Sequence, residues 1–426
     1  MSGTVSRRRF LAYSGGAAVA VAGAGWGVDA LLARARTDPL PPGAGVLVMV
    51  TLYGGNDGLN TVVPAGDPAY QSARPELAYT EQEVLPLGEG LGLNPGLTGL
   101  KGLWDDNQLA IVRGVSYPRP DHSHFRSMDI WQTASPDHPQ TTGWLGRWLD
   151  ANGHDPLHAV SLDPVLPPML AGATTAGAAL PLTGLTLPQG DLGTALAALG
   201  APAAGEPAVQ ATAARAITDL HRAAAALGPG LAAVSPAAAT THPRAGRKGQ
   251  NGKNGTVATP GKAGRTGGGL AAQLGVVASC VEMGAPTRVY SVSLGGFDTH
   301  TGERATQQRL LTEVDQAVTA FLHRMAGSDR GRGVVLVAYS EFGRRVVANA
   351  NQGTDHGTAG PVFVAGAGVR GGFVGAQPSL TDLDNGDLKP TTDFRDIYAT
   401  LLTGVLQADP EPVLGSGRGH LPLFTV

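Results

Sequence analysis

The sequence predicts an α/β fold, a three-layer, doubly wound arrangement around a mainly parallel sheet. Three observations carry this. The runs 45–53 (GVLVMVTLY) and 333–339 (GVVLVAY) are near-continuously apolar, as strands buried on both faces should be. Such runs alternate along the chain with segments of helical periodicity. With 62 Gly, 31 Pro and only 5% aromatic residues, the composition suits a loop-rich globular chain better than a helical bundle or coiled coil.

Taken in order, 45–53 is a strand, 97–107 a short helix and 109–115 (LAIVRGV) a second strand. Residues 142–151 make a tryptophan-bearing helix and 159–162 a short strand. No pattern is assignable over 171–207, and 208–227 reads as an Ala-rich helix. Segment 242–269 holds nine Gly and six Lys or Arg with no acid, so it cannot bury enough apolar surface to offset its ordering entropy. It reads as a disordered surface insertion between two halves of one sheet; without an aromatic residue it is a poor basic platform for an acidic polymer. A helix follows over 270–283, then a strand over 287–294. The clearest helix is 304–325, where Leu310, Leu311, Val314, Val318, Phe321, Leu322 and Met325 mark one stripe. Strands at 333–339 and 361–365 precede a closing helix over 393–402, capped by Thr392 or Asp393.

The first 35 residues read as an export leader. Ser6-Arg7-Arg8-Arg9-Phe10-Leu11 precedes a weakly apolar stretch over 12–26 and a small-residue site at Ala33-Arg34-Ala35. The paired arginines resemble a twin-arginine signal, which implies the export machinery of that route as a partner and a mature chain in the periplasm, cell envelope or medium. An uncleaved anchor is the alternative, but the stretch is shorter than the roughly 20 residues a bilayer requires. No other run is apolar enough for a membrane span, so the mature chain is expected to have none. The net charge of −3 gives no reason to expect nucleic-acid binding. Cys280 is the one cysteine, which excludes an intramolecular disulfide and a Cys-rich zinc site; it sits beside Val276, Val277 and Val281 as a packing residue.

Ligands of open α/β sheets bind beyond the carboxyl ends of the strands. The first strand runs into Gly54-Gly55-Asn56-Asp57-Gly58, and the second, after a Pro-bearing loop, into Asp121-His122-Ser123-His124. The 287–294 strand ends in Gly295-Gly296-Phe297-Asp298-Thr299-His300, and the 333–339 strand in Ser340-Glu341-Phe342-Gly343-Arg344. Thr354-Asp355-His356-Gly357 comes just before the next strand. Alone, each piece has a plain reading: Asp57 as a turn, Asp298 as a helix cap, Glu341 as the partner of an arginine, His122 and His124 as surface histidines. Together they place acids and imidazoles at one sheet edge, where a cation must balance several carboxylates. The G-x-G-x-x-G string at 366–371 opens no helix, and neither a P-loop nor a G-x-S-x-G elbow is present.

Leu52 to Pro64 (LYGGNDGLNTVVP), His122 to Ala134 (HSHFRSMDIWQTA), GGFDTH at 295–300, SEFGR at 340–344 and TDHG at 354–357 resemble the DUF1501 family of exported bacterial proteins. That family looks like a distant branch of the alkaline phosphatase and sulfatase superfamily. The resemblance implies a doubly wound sheet with one or two metals at the strand ends. By motif, Asp57 stands at the first metal aspartate, Ser123 near the nucleophile, and Asp298 with His300 at a ligand pair. Glu341 stands where an Asp-His pair ends a strand, and His356, with Asp355, at the last ligand histidine. Phe342 replaces a further histidine, which removes a ligand and counts against a complete two-zinc site. Zn, Mg, Ca and Mn are all open, the harder ions suiting an oxygen-rich set.

The implied activity is hydrolysis of phosphate or sulfate esters, on small molecules or on polymers, by one domain over 45–426. A divalent metal on Asp57, Asp298, His300, Glu341, Asp355 and His356 would activate Ser123 or a water. Arg344 would fork onto the ester oxygens and His124 would serve as general acid or base. A non-catalytic envelope protein with a structural metal is the alternative.

Overall fold

A computed structural model describes residue 31, residues 35–180 and residues 269–424. The twin-arginine motif, the 208–227 helix and all but the last residue of the 242–269 insertion lie outside the described residues. Strand β1 (Val46–Tyr53) shows how the fold is built. Its side chains alternate, Val46, Val48, Val50 and Leu52 entering one apolar core and Leu47 and Met49 another. A strand buried on both faces must be covered on both, and the helices do this.

The other strands of the main sheet are β2 (Leu109–Ser116), β3 (Ala159–Ser161), β4 (Ala178–Ala179), β5 (Val289–Gly295), β6 (Val334–Tyr339), β7 (Gly360–Ala365), β8 (Gly372–Val374) and β9 (Thr392–Asp393). Their order is β8-β2-β7-β6-β1-β5-β3-β4, with β9 paired to the end of β2. All pairings are parallel except those of β7, which runs against both neighbours. Helices α1 (Pro68–Ala73), α2 (Thr98–Asp105), α3 (His124–Thr133), α4 (Trp144–Ala151), α5 (Leu270–Glu282), α6 (Glu303–Ala326) and α7 (Phe394–Gly404) complete the described framework. Residues of α2, α5 and α6 join the first core, and residues of α3, α4 and α7 the second. The result is the expected three-layer α/β fold with a mainly parallel sheet.

Register positions the site. Tyr53 of β1 lies opposite Gly295 of β5, and Thr51 lies opposite Tyr339 of β6. The loops after these three strands therefore leave the sheet side by side. Because β7 is antiparallel, its first residue, Gly360, pairs with Val115 near the end of β2. The loop before β7 thus reaches the same edge as the loops after its neighbours.

Among the described residues, the expected strands and helices form, with ends shifted by a residue or two. Helix α3 was not expected, since HFRSMDIWQT mixes polar and apolar residues without a clean stripe. Asp393 caps α7 by accepting from Arg395 N–H. The glycine string at 366–371 leads into β8 and opens no helix. Cys280 is fully buried in the first core, and burial pushes its thiol up to about 12. No described helix is long and apolar enough to cross a membrane.

One long-range cap ties the first-core helices together. Leu97 offers α2 no side-chain cap, and Asp315 of α6 takes its place by accepting from Gly99 N–H at 2.9 Å and Leu100 N–H at 2.7 Å. Asp315→Ala leaves two buried donors unmatched and should cost about 1–3 kcal/mol. Urea unfolding should show a lower midpoint with an unchanged slope.

Candidate metal centre

The loops at the carboxyl edge bring three imidazoles to one carboxylate oxygen. Asp298 Oδ1 lies 3.0 Å from His300 Nε2, 3.2 Å from His356 Nε2 and 3.6 Å from His124 Nε2. His300 Nε2 and His356 Nε2 are 3.0 Å apart. Donor atoms of His124, Asp298 and His356 all fall within 4.8 Å of one another.

The opposite ring nitrogens explain this orientation. His124 Nδ1 is 2.8 Å from Glu341 Oε1, His356 Nδ1 is 2.8 Å from the His122 carbonyl, and His300 Nδ1 is 3.4 Å from Asp355 Oδ1. Each of these partners accepts, so each ring is held by its Nδ1 side with Nε2 toward Asp298, and the Glu341 bond raises His124 above its ordinary value. His124 Nε2 is buried with no hydrogen-bond partner. An acceptor behind each imidazole is the arrangement that orients metal-ligating histidines. The donor set fits a divalent ion.

Asp298, His300 and His356 therefore stand where the sequence places ligands, and three other expectations are corrected. Glu341 and Asp355 turn toward histidines as orienting acceptors. Glu341 Oε1 also accepts from Gly54 N–H at 2.9 Å and its Oε2 from the Ser340 hydroxyl at 2.9 Å. Burial opposes its ionisation, but the His124 bond and the backbone donors hold its pKa below the usual range. The Asp57 carboxylate is given to Arg74, with which it forms a fully buried ion pair, and to Leu59 N–H. GGNDG is instead a packing motif. Gln307 of α6 donates to Asn56 Oδ1, the Asp57 carbonyl and Thr61 Oγ1, while Gly54 and Gly55, both at positive φ, lie where a Cβ would strike Asp298 N and the Phe342 ring.

The catalytic expectations change as well. Arg344 is buried and donates to the carbonyls of Gly54, Gly55, Phe297 and Thr354 and, at 2.8 Å, to Asp298 Oδ1. Its fork joins three loops and is not free for a substrate. Burial would raise Asp298, yet the Arg344 and His356 hydrogen bonds bring it down to about 2. His124 uses one nitrogen on Glu341 and aims the other at Asp298, which leaves it no free position as a general acid or base. Burial, together with the Arg344 and His124 charges, holds His356 below its ordinary value. Ser123 is exposed at the N-cap of α3, and its hydroxyl makes no cap bond.

Sequence reasoning missed Arg74 and Glu303, since neither belongs to a strand-end motif. Glu303 begins α6, is fully buried and accepts from the Thr354 hydroxyl. Burial first, and then the Asp57 charge, raise its carboxyl to about 9.

These features define an α/β protein with a histidine–aspartate centre at the carboxyl edge of its sheet. The chain belongs to the family described as Protein of unknown function (DUF1501), which matches residues 44–420. No curated protein matches it. Among solved structures it is similar to a protein in the alkaline phosphatase superfamily from Vibrio parahaemolyticus, at 10% identity and a TM-score of 0.42, over 91% of this chain and 76% of that one.

Two predictions follow from the buried charges. Arg344→Lys cannot reproduce the fork and strands several buried acceptors, so stability should fall by about 3 kcal/mol or more, read by chemical denaturation. The folded chain also holds a Glu303 proton that the unfolded chain releases above the ordinary carboxylate value of 4.5. Stability should decline as pH rises from that value toward about 9, and Glu303→Gln should flatten the decline in unfolding curves taken across this range.

Proposed function

We propose that this protein is an exported, metal-dependent hydrolase of phosphate or sulfate esters, its activity carried by one domain over 45–426. The convergence of imidazole nitrogens on Asp298 Oδ1 is the observation that supports it most. Asp298, His300 and His356 would hold a divalent ion, which would polarise an ester oxygen and favour ionisation of a hydroxyl or water.

The chain's own residues prepare the place for this. Glu341, Asp355 and the His122 carbonyl set the imidazole orientations before any substrate arrives. Arg344 fixes the loops that carry Asp298 and His356, and its charge offsets that of Asp298. Ser123 stands one residue before His124 with its hydroxyl free of the helix cap, as the chain's nucleophile. The ester class itself comes from the motif resemblance.

The centre is open: the side chains of Asp298 and His300 are 50% and 42% exposed. An ester oxygen could therefore approach the ion as a further ligand, since zinc expands to five-coordinate in catalytic sites. The leader over 1–35 would deliver the folded chain through the twin-arginine route, and the 242–269 segment would be a surface insertion.

The test is turnover of p-nitrophenyl phosphate and p-nitrophenyl sulfate before and after chelation. Hydrolysis of one ester, lost with the metal and restored by a divalent ion, is expected. Metal bound with no turnover on either ester would instead favour the non-catalytic reading. Ser123→Ala should lower kcat by on the order of a thousandfold or more; unchanged turnover would remove Ser123 as nucleophile.

A further inference from the structure

We propose that the centre takes one ion per chain through four protein donors, with His124 Nε2 as the fourth beside Asp298, His300 and His356. This rests on the metal reading above and specifies its stoichiometry, its ligand set and the segment it locks.

The first support is His124 itself. Its Nε2 is buried and unpartnered, 3.6 Å from Asp298 Oδ1, while its Nδ1 is held by a buried carboxylate. A buried imidazole nitrogen left without a partner, grouped with the Asp298 oxygen and the His356 nitrogen, is placed to serve as a further metal ligand.

The second is that protein fills the space and occupies the carboxylates a second ion would need. The Asp57 carboxylate is neutralised by Arg74. Glu341 spends both oxygens on His124, Gly54 and Ser340. The buried Phe342 ring lies with its centroid 4.8 Å from each of the His124 and His356 rings, closing the inner side of the cluster with carbon. Three imidazoles and one carboxylate suit zinc or another borderline ion better than the harder Mg²⁺ or Ca²⁺.

The third is topological. His124 opens α3, and two residues earlier the His122 carbonyl holds His356. An ion on His124 and His356 would therefore clasp the 121–124 segment, which includes Ser123, to the loops before β7 and after β5.

The experiment loads the full-length chain with Zn²⁺ after chelation and measures bound metal by mass spectrometry. One equivalent is expected. Two equivalents would overturn the single-ion centre while leaving the metal reading intact; none would overturn both. With Co²⁺ in place of zinc, three hyperfine-shifted exchangeable imidazole N–H proton resonances should appear, one per ligand histidine, and two would exclude His124 even if its variants fail to fold. His124→Ala should weaken Zn²⁺ affinity by at least about 10- to 100-fold, the loss typical of removing even a supporting group, and Asp57→Asn should still bind one equivalent. Undiminished affinity in the folded His124→Ala chain would overturn the ligand assignment.

Discussion

An ionised carboxylate held 3.0 Å from His300 Nε2, 3.2 Å from His356 Nε2 and 3.6 Å from His124 Nε2, as Asp298 Oδ1 is, needs positive charge or donated protons beside it. The arrangement at the carboxyl edge depends on this constraint. Arg344 meets part of it by donating to Asp298 Oδ1. Glu341, Asp355 and the His122 carbonyl sit behind the imidazoles and hold each ring with its Nε2 toward Asp298. A divalent ion on these atoms would add positive charge while leaving each imidazole on its partner.

A second layer of buried charge holds the loops that carry these groups. Arg74 and Asp57 pair with no solvent exposure, and Arg344 ties the 54–55, 297–298 and 354 backbones into one unit. Such pairs add little net stability, since desolvation offsets most of the attraction, but removing one partner is costly. Their contribution here is geometric. Asp57 and Arg344, singled out by their positions after strands, turn out to build the platform on which the histidines stand.

Much of the architecture was legible because strands buried on both faces leave an apolar signature, as in GVLVMVTLY and GVVLVAY. Strand ends could then be searched for polar chemistry, which singled out Asp298, His300 and His356, three residues that the fold brings together. Roles within the cluster were not legible. Whether Glu341 faces an ion or a histidine depends on a side-chain direction set by Gly54 N–H and Ser340, and strand position cannot report it. Arg74 and Glu303 lay outside the strand-end search, because they reach Asp57 from a helix end and a helix start that no motif marks. The antiparallel direction of β7 was also hidden, although it is what carries His356 to the shared edge.

The most direct measurement is diffraction from crystals of the zinc-loaded chain at the zinc absorption edge. The account predicts one anomalous peak per chain, bounded by Asp298 Oδ1 and the Nε2 atoms of His124, His300 and His356, with Glu341 and Asp355 outside its reach. A map with no peak there, or with the peak on Asp57 and Glu341 while the imidazoles bond only to one another, would contradict it.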